Sequence, residues 1–387
     1  MCKTMSTSND RDVYIFHKSD ALPKDVCESY APRQSQVSYH EQNVGFPRML
    51  VDPRSDLYIW NLADEYLRRV TQADKFIQGF KSIEEFWVLE HLVENDVQQC
   101  ACNKNRVYVC LWFLVDAPNG GNLEIYSGNK LETKIRASRG TFVMFPATWT
   151  YSYRFDSKGI CFLRTYLTHG ETDVKLEKPV VRNTLVTTST STSTTLIKLF
   201  DDNLSPSTCD TLINLIDSGT DSVKPGVTGK GVDLTMKHTF DLLITDAHTI
   251  AALKSRLAEG VLQYLRYTGN FVITKLSEYG LKISLFKVQK YKANEGYYHF
   301  HVDDKGTRVM VFMWYLNNVD DGGETEFMTD HGRLIVKPKK GSLLLFPSTW
   351  TYKHRGNMPT SSDKYICNGW IHSDFLGNNQ GMIPFDL

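Results

Sequence analysis

The apolar positions change period along the chain, most clearly in its second half. Leu196–Phe200 is a short apolar run with strand character. Ser205-Pro206 then supplies an N-cap followed by proline at the first helical position, with Leu212, Ile213 and Ile216 at helical spacing behind it. Asp246 is the next cap candidate, ahead of Ile250, Leu253, Leu257, Val261 and Leu265, which share one face of a second helix. From there the period becomes that of strands: Ile283–Tyr291, Arg308–Leu316, Leu334–Val336, Ser342–Phe346 and Tyr365–Ile371, separated by Gly, Asn, Asp and Pro turns. Helices first and strands afterwards predict a mixed α+β fold, a jelly-roll sandwich or barrel buttressed by its N-terminal helices.

The pattern occurs twice. Residues 107–114 (Val-Tyr-Val-Cys-Leu-Trp-Phe-Leu) resemble residues 309–316 (Val-Met-Val-Phe-Met-Trp-Tyr-Leu), and a glycine pair follows each, Gly120-Gly121 and Gly322-Gly323. Gly140–Tyr151 matches Gly341–Tyr352, sharing Phe-Pro-x-Thr-Trp-Thr-Tyr, and Lys158–Cys161 matches Lys364–Cys367. Order is kept at an offset of about 200 residues, which predicts a duplicated domain. The expected organisation is a jelly-roll (double-stranded β-helix) domain in residues 1–172, a linker in 173–195 around the low-complexity run Thr187–Thr195, and a second such domain in 196–387.

Composition narrows the class without naming the chemistry. The 387 residues are 41% apolar and 23% charged, as in globular proteins. Lys+Arg and Asp+Glu are equal at 44 each, so bulk charge gives no reason to expect nucleic acid or an anionic membrane as partner. The N-terminus lacks an apolar signal core, no run of 18 apolar residues exists, and the C-terminal residues are not an ER-retention signal; a cytoplasmic location is expected. The eight scattered cysteines are expected to be free thiols. Cys100-Ala-Cys102 lacks the second pair that a structural zinc site needs.

The chemistry concentrates at His301-Val-Asp303. At the end of a strand these two side chains point the same way, and His354, which follows the predicted strand ending at Phe346-Pro347, can approach them because a jelly roll sets strands remote in sequence side by side. Two imidazoles and one carboxylate form the ligand set of a mononuclear non-haem Fe(II) site with open positions. His299 faces the same side on strand periodicity and is an alternative ligand or a pocket residue; two loop histidines and a turn aspartate are the bland alternative.

The surrounding residues resemble the 2-oxoglutarate/Fe(II) dioxygenases of the prolyl 4-hydroxylase-like branch. The match runs through Gln289-Lys-Tyr291, Gly296, Tyr298, His301-x-Asp303, Tyr315-Leu-Asn317, Gly322-Gly-Glu-Thr-x-Phe327, Lys337–Gly341, His354, Pro359 and Lys364–Ile371. It covers residues 196–374 and is strongest after 283. The resemblance implies that His301, Asp303 and His354 bind Fe(II), that Lys364 pairs with the C5 carboxylate of 2-oxoglutarate, and that Tyr291 donates a hydrogen bond to that group. It implies O2 as second cosubstrate, ascorbate as a candidate reductant, and hydroxylation coupled to formation of succinate and CO2. Related halogenases carry a small residue where Asp303 stands, so the aspartate points to hydroxylation. A prolyl residue of a protein or peptide is the leading substrate class, with a free amino acid or other small molecule as the alternative. A non-catalytic two-barrel scaffold is the rival class. Arg308 and Trp370 are read as packing residues.

Projecting the repeat onto the first half puts Gln99 in place of His301, Ala101 in place of Asp303 and Tyr153 in place of His354. Lys158 aligns weakly with Lys364. The first domain is therefore expected to keep the barrel and to have lost the metal.

Overall fold

The computed structural model describes residues 14–30, 54–69, 82–83, 87–91, 97–99, 106–168, 196–219, 222–268, 280–329, 332–373, 382–385 and 387. The run Thr187–Thr195, the Cys100-Ala-Cys102 pair and Ala101 lie outside the described residues. The chain divides into two compact units, Met1–Ser193 and Thr194–Leu387.

The second unit opens as its caps dictate. Ser205 Oγ accepts the Thr208 backbone N–H at 3.1 Å, starting helix Pro206–Asp217, whose Cys209, Leu212 and Ile216 are buried. Asp246 Oδ2 accepts the Thr249 N–H at 2.7 Å ahead of helix Ala247–Thr268. The buried stripe of that helix is Leu253, Leu257, Gly260, Val261 and Tyr264. Tyr264 takes the place expected of Leu265 because its hydroxyl donates to the Leu196 carbonyl at 2.8 Å. Gly260 leaves room for Leu343 of the sheet, where any Cβ would collide with that side chain.

Two antiparallel sheets follow. The larger has the order Lys198–Phe200, Leu343–Pro347, Arg308–Tyr315, Lys364–Ser373, Lys287–Tyr291, Phe240–Leu243, Lys224–Pro225. The smaller has the order Lys237–His238, Tyr297–His301, His354–Gly356, Thr325–Thr329, Gly332–Val336. From Arg308 onward the chain crosses back and forth between the sheets, with the hairpin Thr325–Thr329/Gly332–Val336 kept in the smaller one, so strands distant in sequence become neighbours, as a jelly roll requires. Val311, Met313, Tyr315, Phe327, Leu344, Phe346, Ile366 and Tyr291 meet in one buried cluster drawn from both sheets.

The sequence pattern ran Ile283–Tyr291 as one strand. The structure has two, Leu281–Ile283 and Lys287–Tyr291, both paired with Lys364–Ser373. Ser284 makes the break: its Oγ, rather than a backbone carbonyl, accepts the Trp370 N–H at 3.0 Å. The short strands Lys224–Pro225, Lys237–His238, Phe240–Leu243 and His354–Gly356 were not expected. They are two to four residues long and are held by partners remote in sequence, so local periodicity carries no sign of them.

The first unit carries helices Lys24–Tyr30 and Arg54–Arg69 and its own antiparallel sheets. One has the order Phe16–Lys18, Phe142–Pro146, Arg106–Phe113, Ile160–Thr168, Ser82–Ile83, with Trp87–His91 also on Ile160–Thr168. The other runs Val97–Gln99, Tyr151–Phe155, Asn122–Ser127, Lys130–Arg136. The described cysteines, Cys27, Cys110, Cys161, Cys209 and Cys367, are buried free thiols. Among the described residues no helix is long and apolar enough to cross a membrane.

Candidate active site

A cavity opens in the second unit and is lined from both sheets. Strand Tyr297–His301 ends at its wall. His301 lies directly across the ladder from His354, the first residue of His354–Gly356. Asp303 follows two residues after the strand ends. Ligand atoms of His301, Asp303 and His354 all lie within 4.8 Å of one another, and no other such group of His, Cys, Asp and Glu converges among the described residues.

Hydrogen bonding decides which nitrogens face the cluster. His301 Nδ1 is 2.8 Å from the His299 carbonyl and His354 Nδ1 is 3.0 Å from the Tyr352 carbonyl. A carbonyl only accepts, so both Nδ1 atoms carry protons and both Nε2 lone pairs are free. His354 Nε2 stands 3.6 Å from Asp303 Oδ2. Burial, reinforced by the neighbouring His354, pushes His301 down to about 3. Burial also lowers His354, against the pull of Asp303. For Asp303 burial acts upward, but His301, His354 and Arg308 together hold it below the usual carboxylate range. At neutral pH the cluster is two neutral imidazoles and one carboxylate, a donor set suited to a divalent transition metal. The rings are fixed by packing: Tyr298 stacks on His301 at 3.6 Å, and Phe346 lies 4.7 Å from His354.

Lys364 lies across the ladder from Tyr291 and is 1% exposed. Its ammonium faces the rings of Tyr291 and Tyr315 at 5.0 and 5.6 Å, and among the described residues it makes no hydrogen bond or ion pair. Burial brings it down to about 7, only partly opposed by Glu324. Tyr291 is 3% exposed, and burial keeps its phenol far above the ordinary value, hence an O–H donor. Lys364 and Tyr291 line the same cavity as His301, Asp303 and His354.

His299 does not share the face of His301, as a regular strand would have it. The register shifts between Tyr298 and His301, which turns Tyr298 onto His301 and leaves His299 exposed beside Tyr297. Arg308 is more than packing: its guanidinium sits 3.5 Å from Asp303 Oδ1 and 3.6 Å above the Trp370 ring. Sequence reasoning missed Lys237, Asp241 and Lys287. Asp241 Oδ2 accepts from Lys237 at 3.0 Å and lies 3.3 Å from Lys287 Nζ. Its Oδ1 accepts from Thr239 and Gln289, both at 2.8 Å. Burial lowers Lys237, against the opposing pull of Asp241. The sequence did not single them out: Lys237 and Asp241 lie on the short strands Lys237–His238 and Phe240–Leu243, which local periodicity does not show.

In the first unit Tyr153 stands across the ladder from Gln98, so register puts Gln98 rather than Gln99 opposite it. Tyr153 is packed between Phe145 and Phe155, with ring centres 5.6 and 5.9 Å away.

Residues 286–372, a span that includes Tyr291, His301, Asp303, His354 and Lys364, match the family model of the 2OG-Fe(II) oxygenase superfamily. The chain is similar to "Prolyl 4-hydroxylase 2" of Arabidopsis thaliana, 31% identical over 115 residues; the match spans 22% of this chain and 38% of that relative's length. Among solved structures it is similar to a Pseudomonas putida prolyl-4-hydroxylase, with 17% identity, 46% of this chain and 92% of that chain covered, and a TM-score of 0.38. It is also similar to the viral collagen prolyl hydroxylase of Paramecium Bursaria Chlorella virus-1 in a 2OG complex, with 23% identity, 46% and 96% covered, and a TM-score of 0.34. The family match supports a 2OG-Fe(II) oxygenase domain in the second unit, over the span that carries the His-Asp-His cluster and the buried lysine.

Proposed function

We propose that residues 196–387 form an Fe(II)- and 2-oxoglutarate-dependent dioxygenase that hydroxylates an aliphatic C–H bond. A prolyl residue of a protein or peptide is the leading substrate. One observation carries the reading: a single cavity holds both a cluster of two neutral imidazoles and a carboxylate and a buried lysine that makes no ion pair among the described residues. The first suits Fe(II); the second suits the far carboxylate of a cosubstrate.

His301 Nε2, His354 Nε2 and Asp303 would hold the iron. Their Nδ1–H bonds to backbone carbonyls orient the rings before any metal arrives. Lys364 would pair with the C5 carboxylate of 2-oxoglutarate, and the Tyr291 phenol would donate to the same group. Phe327 and Phe346 pack on His354 and exclude water from that side. Iron, 2-oxoglutarate and O2 bound together would supply C–H oxidation coupled to decarboxylation to succinate, with ascorbate as reductant. Arg308 would hold the Asp303 carboxylate in place through their 3.5 Å contact.

The prolyl assignment is supported by the name of the Arabidopsis relative; a free amino acid or other small molecule is the second reading. The first unit is proposed to be a degenerate, non-catalytic copy. In its smaller sheet Tyr153 stands across from Gln98 and Ile125, as His354 stands across from His301 and Phe327, and aromatic rings fill the space around it. The test is succinate formation from 2-oxoglutarate by the iron-loaded full chain, with mass spectrometry of candidate peptides for the gain of one oxygen atom. Iron and 2-oxoglutarate binding without succinate formation under any substrate would favour the scaffold class.

A further inference from the structure

The cavity has a second positive pole that the reading above leaves unused. Asp241, on Phe240–Leu243, lies across the ladder from Gln289 on Lys287–Tyr291. Thr239 and Gln289 donate to its Oδ1, and Lys237 and Lys287 stand at its Oδ2. Two ammoniums therefore share one negative charge. The Lys237 side chain is 2% exposed and that of Lys287 15%, and both line the cavity together with His301, Asp303 and Trp370. One positive charge is left in excess on two largely buried side chains, and a buried charge without a partner is costly.

A continuous set of contacts ties this pole to the triad. Asp303 pairs with Arg308, and Arg308 covers Trp370. Lys287 Nζ is 5.5 Å from the Trp370 ring centre. Lys287 and Lys237 meet at Asp241, Lys237 Nζ is 5.2 Å from the Tyr298 ring centre, and Tyr298 stacks on His301. The circuit closes beside the His-Asp-His cluster. Lys364 belongs to another part of the wall, against Tyr291 and Tyr315. An anion resting on Lys237 and Lys287 would thus hold the atoms bonded to it near the triad, while Lys364 stays available to the cosubstrate.

We propose that Lys237 and Lys287 form a carboxylate subsite for the molecule that is oxidised, so that the substrate carries a main-chain carboxylate or an acidic side chain close to the reacting C–H bond. A monoanion is favoured because a single positive charge exceeds Asp241. The inference rests on the dioxygenase reading.

The test is binding, on the full chain loaded with Mn(II) and saturating 2-oxoglutarate without oxygen. Three probes are titrated calorimetrically: N-acetylglycine (main-chain carboxylate), N-acetylaspartic acid α-amide (side-chain carboxylate) and neutral N-acetylglycinamide. At least one acid is expected to bind about tenfold or more tightly than the neutral amide, and the tighter acid identifies the source of the carboxylate. Lys287→Met should weaken that acid about tenfold or more, and Lys287→Arg should retain it. Asp241→Asn should tighten it, because the competing carboxylate is gone; a structural role for the cluster would not produce that sign. Equal binding of all three probes, or acid binding indifferent to both Lys237→Met and Lys287→Met, overturns the subsite. So does loss of 2-oxoglutarate in Lys287→Met with none in Lys364→Met, since the pair would then be the cosubstrate anchor. Failure of the wild-type chain to take up Mn(II) and 2-oxoglutarate overturns the dioxygenase reading instead.

Discussion

Lys364→Met is expected to move stability and cosubstrate affinity in opposite directions. The wild-type ammonium is 1% exposed, faces two phenol rings and has its pKa brought from 10.5 to about 7 by burial. That difference corresponds to about 5 kcal/mol of unfavourable charge burial, an upper limit because the cavity admits water. The folded value lies below the unfolded one, so the unfolded chain holds the extra proton between pH 7 and 10.5. The penalty is therefore complete below pH 7 and disappears above 10.5. Methionine fills the same space without the charge. The ligand-free variant should be more stable than wild type at pH 6, by about 2 kcal/mol or more and no more than about 5. The gap should close as pH rises from 7 toward 10.5. Its affinity for 2-oxoglutarate should nevertheless fall roughly 150-fold or more, since removing one partner of a buried charge pair costs about 3–5 kcal/mol. Urea denaturation of both proteins at pH 6, 8 and 10 measures the first effect, and calorimetric titration of 2-oxoglutarate into Mn(II)-loaded protein the second. A variant no more stable at pH 6 would show that the charge is already compensated. Unchanged 2-oxoglutarate affinity would show that its far carboxylate is held elsewhere.

Fe(II) should bind at about one equivalent per chain, because one His-Asp-His cluster exists among the described residues; the double variant His301→Ala with His354→Ala should bind none, as metal analysis after gel filtration would report. Ser205→Ala should destabilise the second unit by about 1 kcal/mol through loss of the cap on the Thr208 N–H, read from thermal or urea unfolding. Tyr153→Ala should cost the first unit roughly 3–5 kcal/mol, since the ring is buried between Phe145 and Phe155. An unfolding midpoint unmoved by that variant would mean the aromatic cluster is not what stabilises that unit.

The elements legible in the sequence were those with a local cause. Ser205-Pro206 and Asp246 started helices because capping is a matter of three or four consecutive residues. Arg308–Tyr315 and Leu343–Pro347 were legible as strands because long apolar runs between turns leave few alternatives. The cluster His301, Asp303 and His354 was expected from residue type and spacing, and Lys364 joined it through the resemblance to the dioxygenases. Its register was not: the shift at Tyr298 that exposes His299 and stacks Tyr298 on His301 depends on how Tyr297–His301 lies against His354–Gly356. Nor was the second cationic pole readable. Lys237, Asp241 and Lys287 are brought together by Lys237–His238 and Phe240–Leu243, strands too short to leave a periodic trace, which pair with Tyr297–His301 and Lys287–Tyr291 far along the chain. Composition and local pattern thus determined the helices, the main strands and the residue types of the His-Asp-His cluster, because those follow from short-range sterics and side-chain chemistry. Which charges are buried, which share a counter-ion and which face an open cavity were decided by nonlocal strand pairing, because burial and electrostatic partnership exist only once distant segments have met.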